Sequence, residues 1–447
     1  MRRILVANRG AVAARVIRAV HALGLQAVAV YSDADAGMPY LTDADAAMHI
    51  GEAAPMASYL NQDAILAAAA KAGADAIHPG YGFLSENAGF AERVERAEMC
   101  FIGPSSHWIR DLGQKTHARE LMAEYGMPMT RASRVLDDDP AAVAAVAREM
   151  GYPLLLKPGN GGGGIGMLPV RNEEEVEAVW NRARSVASKS FGSAQLYFEH
   201  LLEQPRHIEF QFLADRYGGV RCLFERDCST QRRHQKVLEE APAPALPREQ
   251  LDAMAAQLQD ILGRIGYDII GTVEMLYTPE RGFSFLEVNT RLQVEHAVTE
   301  EVTGIDIVAA QIRLARGERI NDVLPATPAL SGHAIEARVY AEDPVRFFPS
   351  PGLLEQFDVP SGLGIRIETG YAEGCRVSSY YDPMLAKVIA SGADRPQAIA
   401  RLVAALDACS VRGVKTNIPF IQRVLASRDF RDGAVHTGLA ESVLRSA

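Results

Sequence analysis

The stretch Phe283-Ser-Phe-Leu-Glu-Val-Asn-Thr-Arg-Leu-Gln-Val-Glu-His296 decides how the chain is read. Laid out as a strand, Glu287, Asn289, Arg291, Gln293 and Glu295 share one face, and Leu286, Val288, Thr290, Leu292 and Val294 share the other. A solvated face usually carries Lys, Thr or Ser. This one collects two carboxylates, two amides and a guanidinium, an inventory that suits a ligand. Upstream, Gly271–Tyr277 reads as a second strand, and Thr278-Pro-Glu-Arg-Gly282 carries turn chemistry. With Pro279–Gly282 as a four-residue loop, Thr278 faces Phe283 and Glu274 faces Glu287. Carboxylates so placed lie about 5 Å apart at Cβ, and at an effective dielectric of ~20 they repel by roughly 3 kcal/mol. A hard divalent cation on Glu274, Glu287 and Asn289 would offset this, and Mg²⁺ bound in this way usually shares its shell with substrate phosphates. The alternative is one protonated carboxyl, or one paired with Arg291.

A chain of 447 residues has room for two or three domains. Its 48% hydrophobic and 23% charged residues exclude disorder over any large part. A net charge of -10 argues against nucleic acid or an anionic membrane as main partner. The five cysteines are scattered without a C-x-x-C pair, which fits reduced thiols and indicates no structural zinc. The apolar run after Arg2-Arg3 ends at Asn8-Arg9, too short for a signal segment. No run reaches the ~18 residues of a membrane span. A soluble, cytoplasmic protein is expected.

Arg3–Ala7 reads as a strand, Asn8-Arg-Gly10 as a turn, Ala11–Leu23 as a helix closed by Gly24, and Gln26–Tyr31 as the next strand. The alternation continues through Ala76-Ile77 and Phe101-Ile102, giving a Rossmann-like parallel α/β unit. The G-x-G-x-x-G fingerprint is missing, so a dehydrogenase loses its main support. His78-Pro-Gly-Tyr-Gly-Phe-Leu-Ser-Glu-Asn87 follows a strand, where open α/β sheets bind ligands, and Ser85 is its candidate helix cap. A plain crossover loop is the alternative.

Tyr152–Lys157 is a strand leading into Pro158-Gly-Asn-Gly-Gly-Gly-Gly-Ile-Gly-Met167. Without Gly-Lys-Ser/Thr this is no P-loop. It reads as a mobile hairpin whose backbone N–H groups cover a polyphosphate, or else as a linker. His207–Leu213 alternates, with His207, Glu209 and Gln211 on one face. Asp227–Lys236 concentrates cations in an acidic chain and reads as a constrained loop presenting His234 and Lys236 to an anion. From about Leu330 a third unit begins, with strands His333–Tyr340, Gly364–Glu368 and Met384–Ser391 and a helix Pro396–Ala408. Arg338 either turns toward the central site or makes a surface salt bridge.

Taken together, His78–Asn87, Gln231-Arg-Arg-His-Gln-Lys236, Glu287-Val-Asn-Thr-Arg-Leu-Gln-Val-Glu-His296 and Tyr380-Tyr-Asp-Pro-Met384 closely resemble the motifs of the biotin carboxylase family of ATP-grasp enzymes, over essentially the whole chain. The resemblance implies an N-terminal Rossmann-like α/β domain (1–112), a central ATP-grasp domain (113–328) with a glycine-rich lid (130–203), and a C-terminal mixed α+β domain (329–447). It implies phosphorylation of bicarbonate by ATP to carboxyphosphate, and transfer of its CO₂ to biotin on a carrier protein. By family pattern, Lys115, Lys157, Gly163, Gly164, Glu199, His200, Leu201, Leu202, His207, Gln231, His234 and Leu276 would hold ATP. Glu274, Glu287 and Asn289 would hold two Mg²⁺ or Mn²⁺ ions. Lys236, Arg291, Gln293 and Val294 would hold bicarbonate. Glu295 would be the base on bicarbonate, Arg291 would stabilise the biotin enolate, and Arg338 with Tyr81 would face biotin or carboxyphosphate. Eight residues separate Glu295 from Glu287, roughly 26 Å at full extension, so the chain should bend after Asn289 if both serve one site.

The chain departs from the family pattern at Ala11 for Glu, Pro158-Gly-Asn160 for Ala-Ser-Gly, Ile165 for Arg and His200 for Lys. No Ala-Met-Lys-Met biotinylation motif occurs, so the carrier and the carboxyltransferase are expected on other chains, and a homodimer is expected from the family. Two readings stay open beside this one: an ATP-grasp enzyme with another nitrogen nucleophile, and a non-catalytic nucleotide-binding subunit.

Overall fold

The structure is a computed structural model that describes residues 1–159, 166–191 and 194–446. The first unit is a parallel sheet of β1 (Arg3–Val6), β2 (Gln26–Tyr31), β3 (Ala46–His49), β4 (Ala76–His78) and β5 (Cys100–Phe101) in the order β3-β2-β1-β4-β5. Parallel strands need crossover helices, and Gly10–Ala22 supplies the first, burying Val12, Val16, Ile17 and Val20. The loop after β4 is pinned by Asn8, whose amide donates to the carbonyls of Pro79 (2.7 Å) and Tyr81 (2.8 Å). Asn87, not Ser85, caps the following helix Ala88–Arg96, accepting from the Phe90 N–H at 2.8 Å.

A three-stranded antiparallel sheet follows, of β6 (Leu154–Pro158), β7 (Leu168–Val170) and β8 (Leu196–His200) in the order β7-β6-β8. With the helices Pro140–Met150 and Val176–Phe191 it closes a core of its own around Val143, Leu156, Trp180 and Phe198. β6 and β7 flank the glycine run and pair with each other. Gly163, Gly164 and the departures Asn160 and Ile165 lie outside the described residues.

The remaining frame is one antiparallel sheet. It runs β13-β12-β9-β10-β11-β14 through β9 (Arg206–Ala214), β10 (Val220–Arg232), β11 (Gln235–Ala241), β12 (Ile269–Thr278), β13 (Gly282–Asn289) and β14 (His333–Tyr340), then on to the strands Met384–Gly392 and Ile365–Thr369. The third unit expected from about Leu330 therefore continues the central sheet, because β14 pairs with β11 from Leu238↔Ala337 to Ala241↔Ala334. The helix Arg248–Ile265 covers the central strands with Leu251, Leu258, Ile261 and Leu262. The first unit docks on the last where Gly370 meets Gly10; a Cβ on Gly370 would lie 2.3 Å from the Gly10 Cα, so neither side chain nor gap fits there.

Two expectations need correction. The basic run Asp227–Lys236 is no loop: β10 continues to Arg232 and β11 starts at Gln235, with Arg233 (φ +49°) and His234 (φ +67°) as a two-residue hairpin turn. The strand of the opening stretch ends at Asn289, and the chain bends there as reach requires; Glu295 precedes the helix His296–Thr303.

Candidate active site

Register builds the floor of the site. Glu274 on β12 lies opposite Glu287 on β13 and opposite Glu209 on β9, and Glu209 lies opposite Arg226 on β10. Three carboxylates thus cross three strands in one row. The pairing of Glu274 with Glu287 is as expected, by a different route. The loop has three residues, since Thr278 pairs with Gly282, and a bulge at Leu286 restores the register.

Cations offset the repulsion. The Lys236 ammonium bridges Glu209 (2.6 Å), Glu274 (2.8 Å) and Glu295 (2.7 Å). Lys115 meets Glu287 at 2.5 Å, and His207 Nε2 lies 3.0 Å from Glu274. Arg226, fully buried, contacts Glu209 at 2.5 Å. Arg291 does not pair with Glu287; its guanidinium donates to Glu86 (2.8 Å), to Gln293 Oε1 (2.8 Å) and to Asn289 Oδ1 (3.1 Å). Burial opposes the charge of Glu274, but Lys236 and His207 outweigh it and hold its carboxyl well below the usual range. Glu295 is likewise pushed up by burial and held well below by Lys236, Arg338 and Arg226. Lys236 is opposed by burial and held well above the usual lysine range by Cys228 and the three acids.

The bend after Asn289 returns Glu295 to this floor. Its second oxygen accepts from Arg338 at 3.0 Å, and the Cys228 thiol lies 3.7 Å from the first. Arg338 is therefore a largely buried member of the site, its guanidinium shared between the buried Glu239 and Glu295 rather than paired at the surface. Gln293 donates to Glu274 at 3.3 Å, and the Val294 carbonyl accepts from Lys387 at 2.5 Å. The Tyr81 hydroxyl is buried without a hydrogen-bond partner among the described residues; burial raises its pKa well above the usual value, against Arg338.

The expected nucleotide residues form two groups. Lys157 donates to Glu199 at 2.9 Å, and Arg119 meets the other Glu199 oxygen at 3.0 Å. His200 ends β8 and Leu201 follows it, held by backbone bonds to Arg131 and Pro153, and Leu202 is half-buried beside them. On the large sheet Leu276 lies opposite His207, and Gln231 donates to His207 Nδ1 at 2.9 Å. His234 stands exposed on the hairpin tip; among the described residues no hydrogen bond or ion pair joins it to the other candidates.

Sequence reasoning missed Glu86, Arg119, Arg226, Cys228 and Lys387, and did not see Glu209 as a third acid of the row. The only signal was that Glu209 alternates with His207, one residue type short of a site. A metal fits the geometry. Glu274 and Glu287 are hard oxygen donors opposite each other in the register, each met here by a lysine, and Asn289 Oδ1, which accepts from Arg291, is the third oxygen of the set.

Three family models match the chain: "Biotin carboxylase, N-terminal domain" over residues 1–109, "Carbamoyl-phosphate synthase L chain, ATP binding domain" over 114–323 and "Biotin carboxylase C-terminal domain" over 336–442. A biotin carboxylase of Halalkalibacterium halodurans is 46% identical over 447 residues, covering 99% of this chain and 98% of that protein. A biotin carboxylase of Pseudomonas aeruginosa is 43% identical over 445 residues, covering 99% of each chain. The crystal structure of a Campylobacter jejuni biotin carboxylase complex with a β,γ-ATP ligand superposes with a TM-score of 0.94 at 40% identity, covering 99% and 98% of the two chains. The biotin carboxylase domain dimer of Hydrogenobacter thermophilus 2-oxoglutarate carboxylase, with MgADP, ADP and bicarbonate, gives 0.93 at 41% identity, covering 99% and 98%. An unbroken match from the first α/β unit to the last strands, together with an acidic row read across three strands, places this chain in the biotin carboxylase family of ATP-grasp enzymes.

Proposed function

We propose that this chain is a biotin carboxylase, which uses ATP and bicarbonate to carboxylate biotin on a separate carrier chain. The observation that carries the reading is Lys236 bridging Glu209, Glu274 and Glu295 directly beside Arg338. Lys115, Lys157, Glu199, His200, Leu201, Leu202, His207, Gln231, His234 and Leu276, with Gly163 and Gly164, are the proposed nucleotide residues. Glu274, Glu287 and Asn289 are the proposed ligands of two Mg²⁺ or Mn²⁺ ions, which would supply charge neutralisation on the transferring phosphoryl group.

Lys236, Arg291, Gln293 and the Val294 backbone would hold bicarbonate against Glu295. The charge of Glu295 is secured by its cations, so it is ionised when bicarbonate arrives. A carboxylate held this far down is a weak base. When Lys236 turns to the substrate, Glu295 loses one of its two closest cations and its affinity for the bicarbonate proton rises. The bicarbonate oxygen then takes the phosphoryl group, ADP leaves, and carboxyphosphate releases CO₂ and phosphate. The released phosphate takes the proton of the biotin ureido nitrogen, and the resulting enolate, held against Arg291 and beside Arg338 and Tyr81, takes up the CO₂ at that nitrogen.

We divide the chain at 112/113 and 328/329, with a lid from 130 to 203, and propose a homodimer working with a carrier and a carboxyltransferase on other chains. Among the described residues no helix is long and apolar enough to cross a membrane. All five cysteines are free, which fits a cytoplasmic setting. The test is ATP hydrolysis with Mg²⁺ and bicarbonate in the presence and absence of free biotin. Stimulation by biotin is expected; turnover indifferent to biotin would overturn the reading.

A further inference from the structure

A second pair of acids faces across a ladder behind the site. Glu239 on β11 lies opposite Glu336 on β14, both with no exposed surface, and among the described residues none of their four oxygens makes a hydrogen bond. Their cations are few. Arg338 Nε lies 2.5 Å from Glu239, and the same guanidinium gives Nη2 to Glu295. Among the described residues the one cation in ion-pair reach of Glu336 is Lys387, at 3.5 Å, and that ammonium is committed to Glu368 at 2.7 Å and to the Val294 carbonyl at 2.5 Å.

Two adjacent buried charges with one close cation between them are unfavourable, and a proton is the remaining means of relief. We infer that Glu239 and Glu336 share one proton and together form a positioning pair, Glu239 holding Arg338 by Nε so that its other face is set toward Glu295 and biotin.

The charged groups around the pair agree. Burial drives Glu239 up, against Arg338 and Lys236 and with Glu336 and Glu295; with Arg338 at 2.5 Å from Glu239 and Lys387 no nearer than 3.5 Å to Glu336, the charge stays on Glu239 and the proton rests on Glu336. Burial drives Glu336 up to about 7, against Lys387 and Arg338 and with Glu368 and Glu295. The two titrate as a pair. Because the fold keeps a proton that the unfolded chain releases near pH 4, stability from this pair falls as pH rises from there and levels off above about 8.

The inference rests on the proposed role of Arg338, and the experiment separates the two. The denaturant midpoint of E336Q should equal that of wild type at pH 6 and exceed it at pH 8.5, because the amide carries permanently what the proton supplies only below pH 7–8. E239Q should lower kcat/KM for biotin about tenfold or more, the loss of one charge-assisted contact, with KM for MgATP unchanged. R338A should abolish biotin-stimulated turnover. An E336Q midpoint that follows wild type at both pH values, or wild-type biotin kinetics in E239Q beside an inactive R338A, overturns the inference alone. Wild-type biotin turnover in R338A overturns the reading beneath it as well.

Discussion

Two pairs of glutamates sit in register on one sheet, and they solve the same problem in opposite ways. Glu274 and Glu287 are served by Lys236, His207 and Lys115, and Glu274 stays ionised in spite of burial. Glu239 and Glu336 have one close guanidinium between them, and burial raises both. Both pairs face across an antiparallel ladder, the first beside the bulge at Leu286 and the second in unbroken register; what separates them is the cation supply. Acids neutralised by lysines can exchange those lysines for dications and phosphate. Acids neutralised by a proton have nothing to exchange, and serve only to hold a neighbour. That difference separates a ligand floor from its support.

The largest expected effect breaks the first arrangement outright. K236Q leaves three buried acids without their common cation, which should cost about 3–5 kcal/mol of stability in the absence of divalent ions and lower bicarbonate-dependent ATP turnover by on the order of a thousandfold or more. Added Mg²⁺ with nucleotide should restore part of the unfolding midpoint, and a midpoint unmoved by Mg²⁺ would count against the lysine standing where cation and phosphate go. Next, E295Q should lose about 10²- to 10⁴-fold in kcat, the usual worth of a positioned base, with KM for MgATP little changed in steady-state assays. E287Q should act mainly on nucleotide: a rise of about tenfold in KM for MgATP, one charge-assisted contact being lost, and a shift in the Mg²⁺ concentration needed for half-maximal rate.

The smallest effect sharpens the contrast in pH. The Glu274 carboxyl is held below its unfolded value, so its stabilisation is complete above the unfolded pKa of about 4.3 and fades as pH falls through the folded one. The stability gap between wild type and E274Q should therefore stay constant from pH 7 to 5 and shrink below pH 4. A gap that closes already between pH 7 and 6 would show Glu274 behaving like Glu336.

The central hairpin was legible because strand parity and turn residues are local. Even there, a loop one residue too long and an unseen bulge at Leu286 cancelled, and Glu274 met Glu287 all the same. The bend after Asn289 was legible from reach alone. Arg338 was not, since whether a strand residue reaches a site or the surface depends on β11 pairing with β14 across more than 90 positions of chain. Lys236 was expected to meet an anion. It does, but the anions are the protein's own, and a two-residue turn at Arg233-His234 put it there. Glu86, Arg226 and Lys387 act through partners far along the chain, and no spacing announces them.

The most direct measurement is anomalous diffraction from crystals grown with Mn²⁺ and a non-hydrolysable ATP analogue. Manganese peaks between Glu274 and Glu287, with the Lys236 and Lys115 ammonium groups turned from those carboxylates to phosphate, are the predicted result. Nucleotide bound with no metal at either glutamate, and both lysines still seated on them, would contradict the account.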